Sequence, residues 1–229
     1  MIAAAVASGI KADLAAGLAA LRLDVPARAR QKLTAYVELL SKWNRIYNLT
    51  AIREPERMVT HHVLDSLSVL PALVPLLAVP TCVRMLDVGA GAGLPGIPLA
   101  IARPDWDVTL LDSSQKKVAF MTQTAIELEL GNVKAHAARV EQFAAHAPFD
   151  VVIARAFSAL AAFVRCSVRH LAPGGRLVAM KGIYPEEELA TLPPDIKVLA
   201  ITALTVPGLA AERHLVVMEQ RDASTRAPR

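Results

Sequence analysis

The feature that most constrains this chain is a glycine-rich loop that follows a short apolar run. Gly89, Gly91 and Gly93 come directly after Asp87-Val88, and an apolar stretch that begins at Leu94 follows them. Glycine allows the backbone to turn tightly and to approach a ligand closely. A loop of this kind between a strand and a helix lies at the carboxyl edge of a parallel sheet, where ligands bind. We therefore predict a β-strand, a ligand-binding loop and an α-helix in that order.

The chain beyond Pro80 continues this pattern, because short apolar runs alternate with longer amphipathic stretches. The alternation is typical of an α/β protein with a largely parallel sheet. We predict strands at Val83–Val88, Asp107–Leu111, Asn132–His136, Asp150–Ala154, Arg176–Met180, Lys197–Leu204 and His214–Glu219. We predict helices at Pro95–Arg103, Ser114–Leu130, Ala159–Leu171 and Pro185–Leu192. No convincing helix separates the last two strands, so we expect them to form an antiparallel hairpin at the sheet's edge.

The residues before Pro80 have helical periodicity instead. Leu33, Val37 and Leu40 recur at helical spacing, and Pro55 suits the first turn of a second helix. We therefore predict a small helical subdomain over residues 1–80 and a sheet domain over residues 81–220, followed by a disordered basic tail over residues 221–229. We expect three aromatic side chains of the subdomain to lie in its core, namely Tyr36, Trp43 and Tyr47.

The residues around the loop predict a ligand that carries a nucleoside. Asp112 ends the next predicted strand about twenty residues after the loop, where a carboxylate can accept both hydroxyls of a ribose. A dinucleotide site has its third glycine one position later, and that position is Leu94 here. The tighter spacing is typical of S-adenosylmethionine sites, in which no pyrophosphate is bound. The alternatives are a nicotinamide-dependent oxidoreductase and a tight turn without a ligand.

The end of the fourth predicted strand bears on the methyl acceptor. It has Ala154-Arg155-Ala156-Phe157, whereas enzymes that methylate exocyclic amines often have Asn/Asp-Pro-Pro-aromatic there. The chain also lacks a Pro-Cys pair that could attack a pyrimidine ring. A ring nitrogen with a free lone pair, such as guanine N7, needs neither device and no general base. Arg155 could then donate to guanine O6, a phosphate or the cofactor, or it could form a salt bridge at the domain surface.

The composition is that of a folded protein with a mild basic bias. A hydrophobic fraction of 54% with only 20% charged residues excludes disorder. The net charge of +4 is compatible with nucleic acid binding, and the excess positive charge lies near the two ends of the chain. We expect Cys82 and Cys166 to be free, buried thiols. We also expect no membrane-spanning segment, no signal peptide and no metal site, and a monomer in the cytoplasm.

Several motifs along the chain occur together in one known family. In order they are Lys42-Trp43-Asn44, Tyr47-Asn48-Leu49-Thr50, His61-His62-Val63-Leu64-Asp65-Ser66, the stretch from Gly89 to Pro98, Leu110-Leu111-Asp112-Ser113, Arg155-Ala156-Phe157 and Met180-Lys181-Gly182. With these motifs the chain resembles the bacterial small-subunit ribosomal RNA guanine-N7 methyltransferases, once called glucose-inhibited division protein B. The resemblance runs from about residue 30 to residue 220. It implies a class I methyltransferase fold, which is a Rossmann-like seven-stranded sheet with its last strand antiparallel.

The resemblance also implies S-adenosylmethionine as the cofactor. It assigns cofactor binding to Gly89 and Leu94 in the loop, to Val140-Glu141 beside the adenine, and to Arg155. The residue pattern adds the other loop glycines and two carboxylates. Asp112 would bind the ribose, and Asp87 would support the loop and the methionine end of the cofactor. The complete predicted set is Asp87, Gly89, Gly91, Gly93, Leu94, Asp112, Val140, Glu141 and Arg155.

The acceptor implied by the resemblance is a guanine in a loop of the 16S ribosomal RNA of the small subunit. A single-stranded loop lets such a base splay into a pocket. We expect Arg155 and Lys181 to position the base without a general base. Basic residues of the helical arm would hold the RNA backbone, and the candidates are Arg28, Arg30, Lys32, Arg45, Arg53 and Arg57. The remaining alternatives are a methyltransferase that acts on a small molecule or a protein, and an RNA-binding adaptor without activity.

Overall fold

The computed structural model describes residues 2–77 and 81–221, with side chains from residue 7 onward. These residues contain a seven-stranded sheet with the strand order β3-β2-β1-β4-β5-β7-β6. The strands are parallel except β7, which runs antiparallel to both of its neighbours. The strands are β1 Arg84–Val88, β2 Asp107–Asp112, β3 Val133–Ala137, β4 Phe149–Arg155, β5 Leu171–Lys181, β6 Ile196–Ala203 and β7 His214–Gln220.

Helices cover both faces of this sheet. They are α1 Ile2–Ala20, α2 Ala27–Tyr47, α3 Pro55–Leu76, α4 Gly96–Ala102, α5 Gln115–Glu127, α6 Leu160–Ser167 and α7 Glu186–Ala190. Within α3 the segment Val59–Leu64 is a π-helix. The predicted disordered tail lies outside the described residues, except for Arg221.

Two hydrophobic cores lie on opposite faces of the sheet. Successive residues of a strand point to opposite faces, so Met85 of β1 lies in one core and Leu86 lies in the other. The first core contains the apolar faces of α1 to α5, and the second contains that of α6. Because α1, α2 and α3 pack in the same core as the strands, the predicted subdomain of residues 1–80 has no separate core among the described residues.

The predicted order of strands and helices in the sheet domain is confirmed, including the antiparallel hairpin of the last two strands. β5 begins at Leu171, earlier than predicted, because Leu171 pairs with Phe149 of β4 ahead of a register shift. The helix predicted to reach Leu171 therefore ends at Ser167. The helix predicted over residues 114–130 ends at Glu127, and Glu129 then takes a positive φ of 50°, which no α-helix allows.

Two expectations about burial are wrong. Both cysteines are free, but Cys82 is exposed in the connection that precedes β1, and Cys166 is only partly buried. Tyr47 is 40% exposed, because it occupies the last position of α2 before the chain turns at Asn48. Tyr36 is fully buried as expected.

α3 is long and apolar enough by composition alone to cross a membrane, with a mean hydropathy of 1.2 over its most apolar window. In the structure 61% of that window is buried inside the protein. Met58, Val63 and Leu67 have no exposed surface and belong to the first core. The apolar character of α3 is therefore explained by its packing as a core helix.

One hydrogen bond ties the N-terminal helices to the glycine-rich loop. The hydroxyl of Tyr36 in α2 donates to the carbonyl oxygen of Ala92 at a distance of 2.8 Å. The Tyr36 ring also lies 6.4 Å from that of Phe120 in α5, measured between centroids. Complete burial raises the pKa of Tyr36 far above its usual range, so the hydroxyl remains a donor. The position of the loop thus depends on α2.

We expect Tyr36→Phe to destabilise the protein, because it leaves the buried Ala92 carbonyl without its donor. The free energy of unfolding should fall by about 1–3 kcal/mol, measured by urea denaturation. Tyr47→Phe makes the same chemical change at an exposed position of the same helix and should leave stability unchanged. Equal stability of the two variants would contradict the role given to Tyr36.

Candidate functional site

The predicted site residues converge on one edge of the sheet. The five strands β1 to β5 all end there, since neighbouring strands are parallel. β7 runs in the opposite direction and begins at the same edge, where His214 pairs with Lys181 at the end of β5. The edge therefore carries the glycine-rich loop after β1, Asp112 at the end of β2, and Arg155 at the end of β4.

The loop after β1 has a backbone that favours glycine at alternate positions. Gly89, Gly91 and Gly93 have φ values of 72°, 61° and 82°, which side-chain-bearing residues rarely adopt. A Cβ atom at Gly89 would point into open space, whereas one at Gly93 would lie 2.3 Å from a side-chain carbon of Ile97. Gly93 is therefore required by packing. Gly89 leaves an open surface on which a ligand can lie against the backbone.

Leu94 occupies a different environment from the exposed part of the loop. It is 3% exposed, and its N–H donates to the carbonyl oxygen of Ala90 at 2.8 Å. Its side chain belongs to the first hydrophobic core. The structure thus places Leu94 beneath the loop, and the open backbone surface is at Gly89 and Gly91.

Asp112 is held directly against the loop. Its Oδ2 accepts the N–H of Gly91 at 2.9 Å, and its Oδ1 accepts the N–H of Ser114 at 2.8 Å. The Lys117 ammonium lies 3.5 Å from Oδ2. Each carboxylate oxygen has lone pairs beyond the one used by the backbone, so Asp112 can also accept hydroxyl groups of a ligand. The structure therefore brings together the carboxylate and the loop that the sequence predicts.

Asp87 lies beneath the same loop and is completely buried. Its Oδ2 accepts the N–H of Gly96 at 2.8 Å, whereas its Oδ1 has no hydrogen-bond partner among the described residues. Burial raises the pKa of Asp87 to about 7, although the Gly96 N–H and the charge of Arg155 oppose the change. The bond to Gly96 joins Asp87 to the start of α4, directly after the loop.

The predicted adenine-side residues follow β3. Val140 is buried and its carbonyl oxygen accepts from His170 Nε2 at 2.9 Å, while Glu141 is exposed. The carbonyl oxygen of Arg139 accepts the N–H groups of Gln142 and of the residue that follows it. The backbone N–H groups of Val140 and Glu141 lie inside this turn and are not the donors of these two hydrogen bonds to Arg139.

Arg155 forms an ion pair with a carboxylate that the sequence interpretation left without a role. Arg155 Nη1 lies 3.1 Å from Oδ2 of Asp65 and 3.2 Å from the carbonyl oxygen of His61, both in α3. Arg213, just ahead of β7, donates from Nε to Oδ1 of Asp65 at 2.7 Å. Asp65 is 1% exposed, so a buried carboxylate is neutralised by two guanidinium groups. The salt bridge considered for Arg155 thus exists, and it joins a partly exposed guanidinium at the end of β4 to a buried carboxylate of α3.

His62 supports this arrangement from the π-helical turn of α3. Its Nε2 lies 2.8 Å from Thr50 Oγ1, and its Nδ1 lies 2.9 Å from the carbonyl oxygen of His61. A carbonyl oxygen can only accept, so Nδ1 is the donor and Nε2 accepts from the Thr50 hydroxyl. Burial and the nearby charge of Arg155 lower the pKa of His62 to about 4, so the ring is neutral at pH 7.

A cavity of about 310 Å³ opens beside Arg155. It is lined by Asp65, Arg155, Ala156, Met180, Lys181, Gly182 and Arg213. Lys181 Nζ is 2.7 Å from Glu188 Oε1 and 3.2 Å from the carbonyl oxygen of Phe157, so its ammonium is fixed at the wall. Three cationic side chains and one carboxylate thus surround a space at the same edge of the sheet as the glycine-rich loop. A cavity of this charge suits an electron-rich, hydrogen-bond-accepting group.

Three residues of this edge are absent from the sequence prediction of the site, namely Tyr36, Asp65 and Arg213. Arg213 can be found from the sequence. An antiparallel last strand begins at the edge where the parallel strands end, so the residue just before that strand also lies at this edge. Asp65 lies in one of the motifs noted in the sequence, but no local pattern identifies its partners. Among the described residues no group of three or more His, Cys, Asp or Glu side chains could hold a metal ion.

Raising the pH should destabilise the ligand-free protein through Asp87. Its pKa is about 7 in the folded protein against the ordinary 3.8 of an aspartic acid, so the folded state holds the proton more tightly and loses this advantage as pH rises. Between pH 5 and pH 8 the free energy of unfolding should fall by about 2–3 kcal/mol more than in Asp87→Asn. Urea denaturation at both pH values measures this, with Asp105→Asn as an exposed control. Parallel pH profiles for wild type and Asp87→Asn would contradict the assignment.

Comparison with solved structures identifies the fold. A structure described as an S-adenosylmethionine-dependent methyltransferase from Clostridium acetobutylicum superposes with a TM-score of 0.57. The superposition covers 82% of this chain and 99% of that one, with 11% sequence identity. At this identity the likeness concerns the fold alone. The prediction of a class I methyltransferase fold with an antiparallel last strand is confirmed.

Comparison of sequences identifies the family. A family model described as rRNA small subunit methyltransferase G matches residues 29–216. The protein of that name from Laribacter hongkongensis is 51% identical over 93% of this chain and 99% of its own length. Its counterpart from Methylobacillus flagellatus is 52% identical over 91% of this chain and 97% of its own length. The resemblance drawn from the motifs is confirmed, and this chain belongs to the rRNA small subunit methyltransferase G family.

Proposed function

We propose that this protein transfers a methyl group from S-adenosylmethionine to N7 of a guanine in the 16S RNA of the small ribosomal subunit. The observation that carries the proposal is that an open glycine-rich loop with its fixed carboxylate and a cavity walled by arginines lie at the same edge of the sheet. The names of its relatives supply the class of substrate. A cytoplasmic location follows from that substrate, since ribosomal subunits are assembled there in bacteria.

The loop and the neighbouring strand ends fit the cofactor. The open backbone at Gly89 and Gly91 leaves room for a ligand, and Asp112 retains lone pairs for the two hydroxyls of a ribose. Val140 and Glu141 would flank the adenine with their backbone amides. When bound, S-adenosylmethionine supplies an electrophilic methyl group on a positively charged sulfur. The carboxyl of Asp87 beneath the loop adds negative potential when ionised.

The cavity beside Arg155 suits a guanine as the acceptor. Guanine N7 carries a lone pair and no proton, so its attack needs no general base. Guanine O6 and the adjacent phosphates are acceptors for Arg155 and Arg213, which line the cavity. Lys181 adds a third cation, although its bond to Glu188 makes it a fixed part of the wall. The chain's own contribution is therefore to orient the base and to exclude water.

The predicted basic arm divides into paired and unpaired residues. Arg28 forms an ion pair with Glu129, Lys32 donates to the Glu129 carbonyl oxygen, and Arg57 pairs with Glu54. Three of the predicted residues are exposed and form no ion pair among the described residues, namely Arg30, Arg45 and Arg53. These three residues are the better candidates for contacts to RNA phosphates.

The proposal is tested with small ribosomal subunits from cells that lack this enzyme. Labelled S-adenosylmethionine should place label in the 16S RNA, and mass mapping should find one N7-methylguanosine. Arg155→Ala should reduce turnover at least tenfold, because a positioned charge at the acceptor site is lost. Label in a ribosomal protein or a small molecule, with none in RNA, would instead support the alternative acceptors.

Asp112→Ala should weaken binding of S-adenosylhomocysteine, because the carboxylate that accepts the ribose hydroxyls is removed. The loss should be about 1–3 kcal/mol in binding free energy, measured by isothermal titration calorimetry. Asp105→Ala is the matched control, because Asp105 is an exposed carboxylate ahead of β2, at the opposite edge of the sheet. An unchanged dissociation constant for Asp112→Ala would exclude the ribose contact.

A further inference from the structure

Two large apolar side chains are exposed immediately after the residues that line the acceptor cavity. Ile183 is 74% exposed and Tyr184 is 51% exposed, directly following Lys181 and Gly182 of the cavity wall. Apolar side chains left in water next to a charged pocket contribute nothing to the core. Their position suggests a surface that a partner covers.

Tyr184 is held in place two residues after Gly182 of the cavity wall. Its ring packs edge-on against that of His214, with centroids 5.7 Å apart and an interplanar angle of 86°. His214 pairs with Lys181 in the ladder between β5 and β7, and it follows Arg213 of the cavity wall. Half of the Tyr184 side chain remains open to solvent while His214 restrains it.

The proposed function points to single-stranded RNA as the occupant of this surface, which adjoins the acceptor cavity through Gly182. Arg155 and Arg213 of that cavity keep guanidinium N–H groups beyond those bound to Asp65, and these can donate to phosphates. The Tyr184 ring provides a face on which a base can stack. A base that leaves its stack to enter a pocket also leaves its neighbour unstacked. An aliphatic side chain next to the ring can fill such a gap, as apolar wedges do in other nucleic acid complexes.

We propose that Tyr184 and Ile183 form a stacking surface for the RNA base adjacent to the methylated guanine. The proposal rests on the proposed function and names the surface that holds the RNA open at the cavity. The Tyr184 ring replaces the stacking partner that the neighbouring base loses, and Ile183 occupies the space vacated by the guanine. Both residues follow β5, outside the glycine-rich loop and Asp112 to which the cofactor is assigned, so they act on RNA binding alone.

The test compares Tyr184→Ala, Tyr184→Phe and Tyr184→Leu on small subunits from cells that lack the enzyme. Tyr184→Ala should lower kcat/KM for the subunit about tenfold or more, which is the usual effect of losing base stacking on an aromatic ring. Tyr184→Phe should retain the wild-type value, because the ring is kept. Tyr184→Leu should be as poor as Tyr184→Ala, because an apolar side chain without a π face cannot stack.

Ile183→Ala has a matched control in Ile126→Ala. Ile126 is 67% exposed but lies in α5, away from the cavity lining, so its truncation should leave kcat/KM unchanged. Ile183→Ala should reduce kcat/KM by several-fold. All variants should bind S-adenosylhomocysteine with the wild-type dissociation constant, which shows that they are folded.

The possible outcomes separate this inference from the function on which it rests. Wild-type activity on RNA together with an unimpaired Tyr184→Ala variant would overturn the stacking surface and leave the proposed function intact. Retention of activity by Tyr184→Leu would also overturn it, since the contact would then be apolar, as with a ribosomal protein. A wild-type enzyme that places no methyl group on RNA would remove both proposals.

Discussion

The buried carboxylate of Asp65 is the interaction on which the acceptor end of the site depends. It accepts from Arg155 at 3.1 Å and from Arg213 at 2.7 Å, and so joins α3 to the end of β4 and to the start of β7. Removal of either arginine would leave a buried charge poorly compensated, which costs several kcal/mol. The ion pairs therefore hold these three segments in one arrangement, and this arrangement forms the cavity.

The proposed cofactor end of the site is held by hydrogen bonds to the glycine-rich loop and by the backbone conformation of the loop itself. The loop needs a left-handed backbone at alternate positions, and its Gly91 N–H is fixed by Asp112 at 2.9 Å. Its far side is fixed by Tyr36, which donates to the Ala92 carbonyl oxygen. Tyr36 and Asp65 both belong to the N-terminal helices. These helices consequently support both ends of the site, in addition to any contact that they make with RNA.

The sequence predicts the features that depend on neighbouring residues. Alternating apolar runs give the order of strands, and the spacing of Gly89, Gly91 and Asp112 gives the loop and its carboxylate. The missed contacts join residues far apart in the chain: Arg213 lies 148 residues after Asp65, and Ala92 lies 56 residues after Tyr36. No periodicity encodes such pairs, because they form only when separate elements pack. The sequence also does not predict that Cys82 is exposed, because the burial of a single apolar residue depends on which elements pack around it.

The electrostatics of the cavity agree with a reaction that requires no proton transfer. His62 follows His61, whose carbonyl oxygen accepts from Arg155, but the His62 ring is buried, its pKa is about 4, and both of its nitrogens are engaged. Asp65 is neutralised by two arginines, each of which binds one of its oxygens. This arrangement supports the proposed attack by guanine N7, whose lone pair needs no general base.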